Sequence, residues 1–268
     1  MTLGITGFTK RSKWALWMAV MLSVVLSRSV LAAESGYTAR TKAMYNAVCA
    51  VCHGKDGLGM TIGNNRFPVI AGLPRWYLEN QLILYKHDGR GAHPQDKEGL
   101  MMHAMVRTLR TDKEIREMAA YIGNKLKEKK PYQPTVEGDI KNGKKIYENP
   151  ATCIRCHGND FKGKDVEVPG QGYFKAPPLT SLDDWYMLSQ LKKFMEKHRG
   201  EPAQTVKGRK LKLSQQDINS PSFGPAQMQA MTMVAFPVEA DREQAMRDVV
   251  AYIYRTSRQK TPVDKKQP

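Results

Sequence analysis

The chain has 268 residues, 42 lysines and arginines against 26 acids, a formal net charge of +16, and only four cysteines. That length admits two small domains.

Lys10, Arg11 and Lys13 precede the apolar run 14–26, and small residues follow around Ala32 and Ala33. Charged, apolar and cleavable regions come in that order in a secretory leader. The run of 13 residues falls short of the roughly 20 needed to span a bilayer. Residues 1–32 are therefore read as a signal peptide; the alternative is an uncut anchor. The leader holds four bases and no acid, so the remainder stays basic at +12. Such a protein is expected in the periplasm, soluble or peripheral to the membrane, and away from nucleic acid.

The stretch "NAVCAVCHGKDG" places Cys49 and Cys52 three apart, with His53 directly after. "ATCIRCHGND" repeats this with Cys153, Cys156 and His157. An exported chain usually spends cysteines on disulfides, but a disulfide does not require that histidine twice. A zinc site needs four ligands, and no second pair lies near either motif. C-x-x-C-H is the attachment signature of c-type haem. It accounts for every cysteine, with both thiols of each pair forming thioethers and each histidine binding iron. On a helix the cysteines share one face and the histidine lies one step round. The histidine's other nitrogen needs an acceptor to fix its tautomer, and the carbonyls of Pro68 and Pro177 are candidates.

The rest of the chain also repeats. "WYLENQLILYKHDGRG" from Trp76 matches "WYMLSQLKKFMEKHRG" from Trp185 at an offset of 109, as Pro68 matches Pro177. Each copy closes on a helix. Thr111 and Glu114 form a capping box ahead of the stripe Ile115, Met118, Ala119 and Ile122, while Asp241 and Gln244 resemble a cap ahead of Met246, Val249, Val250 and Ile253. Between the copies runs the linker "KEKKPYQPTVEGD", and a further helix is expected from about Asp139. The boundary is placed near residue 135, giving domains 33–135 and 136–268. Strand-like alternation is scarce, so both read as all-α. Each is small for a bare core, and a buried haem supplies the missing apolar surface.

A sixth iron ligand should come from the segment before each closing helix. The first segment offers Met101, Met102, His103 and Met105, the second Met228, Met231 and Met233. The two align as M-H-A-M-V-R-T-L and M-T-M-V-A-F-P-V, each running from a methionine to an apolar residue seven later, which singles out Met102 and Met231. From His157 to Met231 is 74 residues, against 49 from His53 to Met102, because the second copy carries a basic insertion at 201–227.

These elements, with "FPVIAG" after the first motif and its degraded form "APPLTSL" after the second, resemble the di-haem class I cytochromes c of the cytochrome c4 kind. The resemblance covers nearly everything from Ala43 to Thr256. It implies two tandem class I cytochrome c domains, each wrapped round one covalent haem c, with axial methionines at the positions of Met102 and Met231. It also implies electron carriage in a respiratory chain to a terminal oxidase. Two His/Met irons leave no open position for a substrate, so a carrier rather than an enzyme is expected. The alternatives are a cytochrome subunit of a dehydrogenase complex, such as a sulfide or thiosulfate oxidiser, or a di-haem peroxidase. The peroxidase would need a free position or a ligand from His87, His93, His103 or His198. Each domain carries a net +6. The runs around Lys125, Lys141 and Lys207 would steer the protein to redox partners with acidic faces (terminal oxidase, quinol-cytochrome c reductase or dehydrogenase) or to anionic lipid.

Overall fold

The computed structural model describes residues 36–127, 131, 133–200 and 223–259, together with 17, 18 and 21. Nearly all of the leader, part of the linker and most of the basic insertion, including the run around Lys207, lie outside the described residues. Among those described, no helix is long and apolar enough to cross a membrane.

The first repeat opens with helix α1 (Ala39–Met44), started by a capping box between Thr38 and Thr41. It widens into one π turn (Tyr45–Cys49) and ends in α2 (Ala50–His53). A hairpin of β1 (Met60–Ile62) and β2 (Asn65–Phe67) follows, with Thr61 opposite Arg66. Then come α3 (Arg75–Lys86), α4 (Lys97–Val106) and α5 (Asp112–Lys125). The expected capping box at Thr111 is formed, with Glu114 Oε2 accepting from the Thr111 amide. The stripe below it is buried, with Ile115 and Ala119 at 0% exposure and Met118 at 1%. Each large aliphatic in such a stripe contributes about 1.5–3 kcal/mol by leaving water.

The second repeat has the same order. Helix α6 (Ile140–Tyr147) starts where expected, its Asp139 cap accepting from the amides of Lys141 and Asn142. Helix α7 (Ile154–His157), a hairpin of β3 (Asp165–Val168) and β4 (Gly172–Lys175), and α8 (Asp184–Met195) come next. Helices α9 (Phe223–Ala235) and α10 (Arg242–Gln259) close it. At the head of α10 the Gln244 side chain turns forward to Asp248 at 2.8 Å, where a capping box would turn it back. The architecture is two tandem, mainly helical units. The two hairpins are a difference from the all-helical reading. Their strands are three or four residues long and mostly exposed, so no apolar alternation marks them.

The hairpins also explain an offset. The cysteine motifs lie 104 residues apart, but the segments Pro68 to Gly91 and Pro177 to Gly200 lie 109 apart. The five extra residues fall between Gly163 and Pro177, where the β3–β4 hairpin and its flanks run longer than β1–β2 and its flanks between Gly59 and Pro68.

The repeats face each other about a local pseudo-twofold axis. The Arg66 guanidinium lies 4.7 Å from the Trp185 ring of the other repeat, and its counterpart, the Lys175 ammonium, lies 5.7 Å from Trp76. At the linker's end, the buried Asp184 carboxylate accepts from the Val136 amide at 2.7 Å and the Thr135 hydroxyl at 2.8 Å. Lys193 of α8 reaches back to Asp96 and to Glu98 of α4.

Candidate haem sites

Each C-x-x-C-H motif lies on a short helical turn pinned by a buried tyrosine. The Tyr45 hydroxyl donates to the Gly54 carbonyl at 2.7 Å, and the Tyr147 hydroxyl to the Gly158 carbonyl at 2.8 Å. Both rings are fully buried, and burial raises both phenols far above their ordinary range. The chain then doubles back. The Gly59 amide bonds the His53 carbonyl at 2.9 Å, and the Gly163 amide bonds the His157 carbonyl at 3.0 Å. A Cβ at Gly59 would meet the Phe67 carbonyl, and one at Gly163 the Ala176 carbonyl. Only glycine lets the proline segments lie this close to the motifs.

That approach delivers the expected acceptors. His53 Nδ1 lies 2.9 Å from the Pro68 carbonyl oxygen, and His157 Nδ1 lies 2.9 Å from that of Pro177. A carbonyl only accepts, so Nδ1 carries the proton and Nε2 keeps its lone pair. Burial lowers both imidazole pKa values, and the proline carbonyl opposes it in part. Both rings are therefore neutral at pH 7, as an iron or other metal ligand must be.

The four thiols are free of disulfides. Burial lifts Cys49 and Cys153 to about 11, so both thiols are protonated at neutral pH.

Two cavities meet these motifs. The first, of about 370 Å³, has Cys49, Cys52, His53 and Met102 in its wall, with Met101 and Met105 alongside. The second, of about 290 Å³, has Cys153, Cys156, His157 and Met231, with Met228 alongside. Met102 and Met231 are half-buried, whereas Met101 and Met105 are 42% exposed and Met233 is 41% exposed and outside the wall. The other histidines lie elsewhere. His103 Nε2 is 2.9 Å from Asp88 Oδ1, His87 is near Asp112, and His93 stacks on His198 with centroids 4.2 Å apart. Each apolar cavity thus gathers two thiols, an imidazole with a free Nε2 and a thioether, a donor set that fits a covalently attached haem. The cysteines would hold it and the imidazole would bind its iron.

Sequence reading passed over one part of these walls. Tyr77, Gln81, Leu182, Tyr186 and Gln190 border both cavities at once, with Arg90 at the first and Arg199 at the second. The clue was present in the 109-residue repeat, which matches Gln81 to Gln190 and Arg90 to Arg199.

A sequence profile described as Cytochrome c matches the chain twice, over residues 38–125 and 140–257. No curated protein sequence matches it. Among solved structures, reduced cytochrome c4 from Pseudomonas stutzeri aligns at 24% identity and a TM-score of 0.50, covering 81% of this chain and 97% of that one. Cytochrome c4 from Acidithiobacillus ferrooxidans aligns at 22% and 0.47, covering 77% and 97%. A thiosulfate dehydrogenase from Marichromatium purpuratum aligns at 22% and 0.47, covering 76% of this chain but 35% of its own. At such identities the likeness is one of fold.

Proposed function

The chain belongs to the cytochrome c family, and from that premise we propose that it carries electrons in a periplasmic respiratory chain, delivering them to a terminal oxidase. Family membership over two repeats, each with its cysteine pair, means two haems c and a role in electron transfer. When bound, each haem supplies one iron that stores one electron by cycling between ferric and ferrous states.

The observation that carries the reading is the closed donor set of each cavity, repeated in both halves. In it, Cys49 with Cys52 and Cys153 with Cys156 are the attachment residues. His53 and His157 give Nε2 to iron, held in orientation by Pro68 and Pro177. Met102 and Met231 would give the iron its second protein ligand, and a thioether beside the imidazole would raise the reduction potential. That pairing suits a carrier and leaves a substrate nowhere to bind. The two units are assigned to 33–135 and 136–268, with residues 1–32 removed on export.

Docking is assigned to the net positive charge of each unit. Val51, inside the first motif, is 59% exposed, and Met101 and Met105 add apolar surface beside the first cavity. A basic unit with exposed apolar surface beside its cavity suits an acidic partner face. Stopped-flow oxidation of the reduced protein by a terminal oxidase tests this. The rate should fall as ionic strength rises, because salt screens the attraction. A rate independent of salt would refute the docking, and no transfer to any oxidase would refute the proposed acceptor.

A further inference from the structure

The contact between the repeats contains two arginines without a counter-ion among the described residues. Arg90 and Arg199 are 6% and 7% exposed and occupy equivalent places in the two repeats. Arg90 donates to Gln81 of its own repeat, and to the Tyr186 hydroxyl at 2.7 Å and Gln190 Oε1 at 2.9 Å in the other. Arg199 donates to Gln190 Oε1 at 2.7 Å and to Gln81 Oε1 at 3.0 Å. Each guanidinium also stacks on an equivalent ring, Arg90 on Tyr85 at 4.6 Å and Arg199 on Phe194 at 4.5 Å.

Every one of those acceptors is neutral, and Arg199 Nε has no hydrogen-bond partner among the described residues. Asp96, the buried acid on this side of α4, is committed to the Lys193 ammonium and the Gly99 amide. Two buried cations thus share two amide oxygens with no carboxylate between them among the described residues, an arrangement that is costly without an anion. Tyr186 registers the imbalance. Burial alone would raise its phenol, yet Arg90 and Arg199 bring it below its ordinary value.

The cluster opens on both cavities. Gln81, Gln190 and Tyr186 line each of them, with Arg90 at the edge of the first and Arg199 at the edge of the second. A planar guanidinium is suited to a carboxylate, which it can grip with two parallel hydrogen bonds. A haem bears two such carboxylates, its propionates. We propose that Arg90, Arg199, Gln81, Gln190 and Tyr186 form one carboxylate-binding cluster, shared by the two cavities, that takes a propionate from each haem and couples the two redox centres. This rests on the di-haem reading above. Reduction adds one negative charge in either cavity, and the same pair of cations stabilises it on both sides. Each arginine therefore sets the potential of both centres, not only that of its own repeat.

The test is spectroelectrochemical titration of the holoprotein and of its Arg90→Gln and Arg199→Gln variants, with intact mass measured on the same samples. Fewer than two haem additions in the unaltered protein would end the di-haem reading itself, whatever the potentials. With two haems bound, either variant should lower both midpoints. The expected change is about tenfold at each centre in equilibrium with a one-electron mediator, which is about 59 mV. A shift at one centre alone, or at neither, would overturn the shared cluster while leaving the di-haem reading intact. Should a glutamine variant fail to accumulate, Arg90→Lys and Arg199→Lys keep the charge and lose the fork. Each should then lower both midpoints by a smaller amount, and any other pattern overturns the proposal.

Discussion

Replacing Gly143 by alanine should destabilise the second unit, and the distances set the size of the effect. Helices α6 and α10 cross at this glycine. A Cβ added there would lie 2.0 Å from the Asp248 carbonyl oxygen and 2.4 Å from its carbonyl carbon. Contacts of that kind are not found below 3.0 Å, so the helices must part by about 1 Å, and the obstacle is backbone rather than a movable side chain. The Asp248 carboxylate ties α10 to the start of α6 through the Asp139 amide and the Asn142 side chain, each at 2.7 Å. Separation stretches both bonds. Overpacking costs about 1–3 kcal/mol, and weakening two charge-assisted hydrogen bonds adds about 1–2 kcal/mol. Alanine returns about 1 kcal/mol through helix propensity. The net loss is about 3 kcal/mol, or roughly 6–12 °C in midpoint for a chain of this size. Thermal unfolding of the holoprotein by circular dichroism measures it. Gly224→Ala is the control, because it makes the same change near the start of α9 where a Cβ meets nothing within 4 Å among the described residues. It should be neutral or stabilising by up to about 1 kcal/mol. Equal midpoints for the two variants would refute the reasoning from close approach.

Met102→Ala should abolish the methionine–iron charge-transfer band of one haem and lower that haem's potential, leaving the other nearly unchanged; Met231→Ala should do the same to the second. Near-infrared absorption reads both, and loss of the band in Met105→Ala instead would shift the ligand register by one turn. Acid should loosen the contact between the repeats through Glu98. The hydrogen bond from Lys193 lowers its pKa below the ordinary 4.5, so its contribution is present above about pH 4.5 and is lost as pH falls through the depressed value. Thermal midpoints across the acidic range should therefore fall less steeply in Glu98→Gln than in the unaltered protein, and identical slopes would remove that account.

Much of this was written in local sequence. The capping box at Thr111, the buried stripe of α5 and the helix start at Asp139 follow from spacings within a turn or two, and the structure has all three. The proline acceptors were legible for another reason, since the duplicated segment put a proline at the same offset in each repeat and a histidine needed a partner. The hairpins were not legible. Their exposed strands have no buried face, so no period of two appears. The arginine cluster was half legible. The matched glutamines and arginines stood out as a repeat, but their meeting depends on how α3 and α8 face each other, which no window of one repeat contains.

The central claim, that both irons are closed and the protein carries electrons rather than transforming a substrate, is tested most directly by carbon monoxide titration of the reduced protein at neutral pH. With His53 and Met102 on one iron and His157 and Met231 on the other, neither haem should bind carbon monoxide in the native state, and the visible spectrum should not change. Stoichiometric binding to either haem would mean an open coordination position, and a catalytic di-haem protein would replace the carrier.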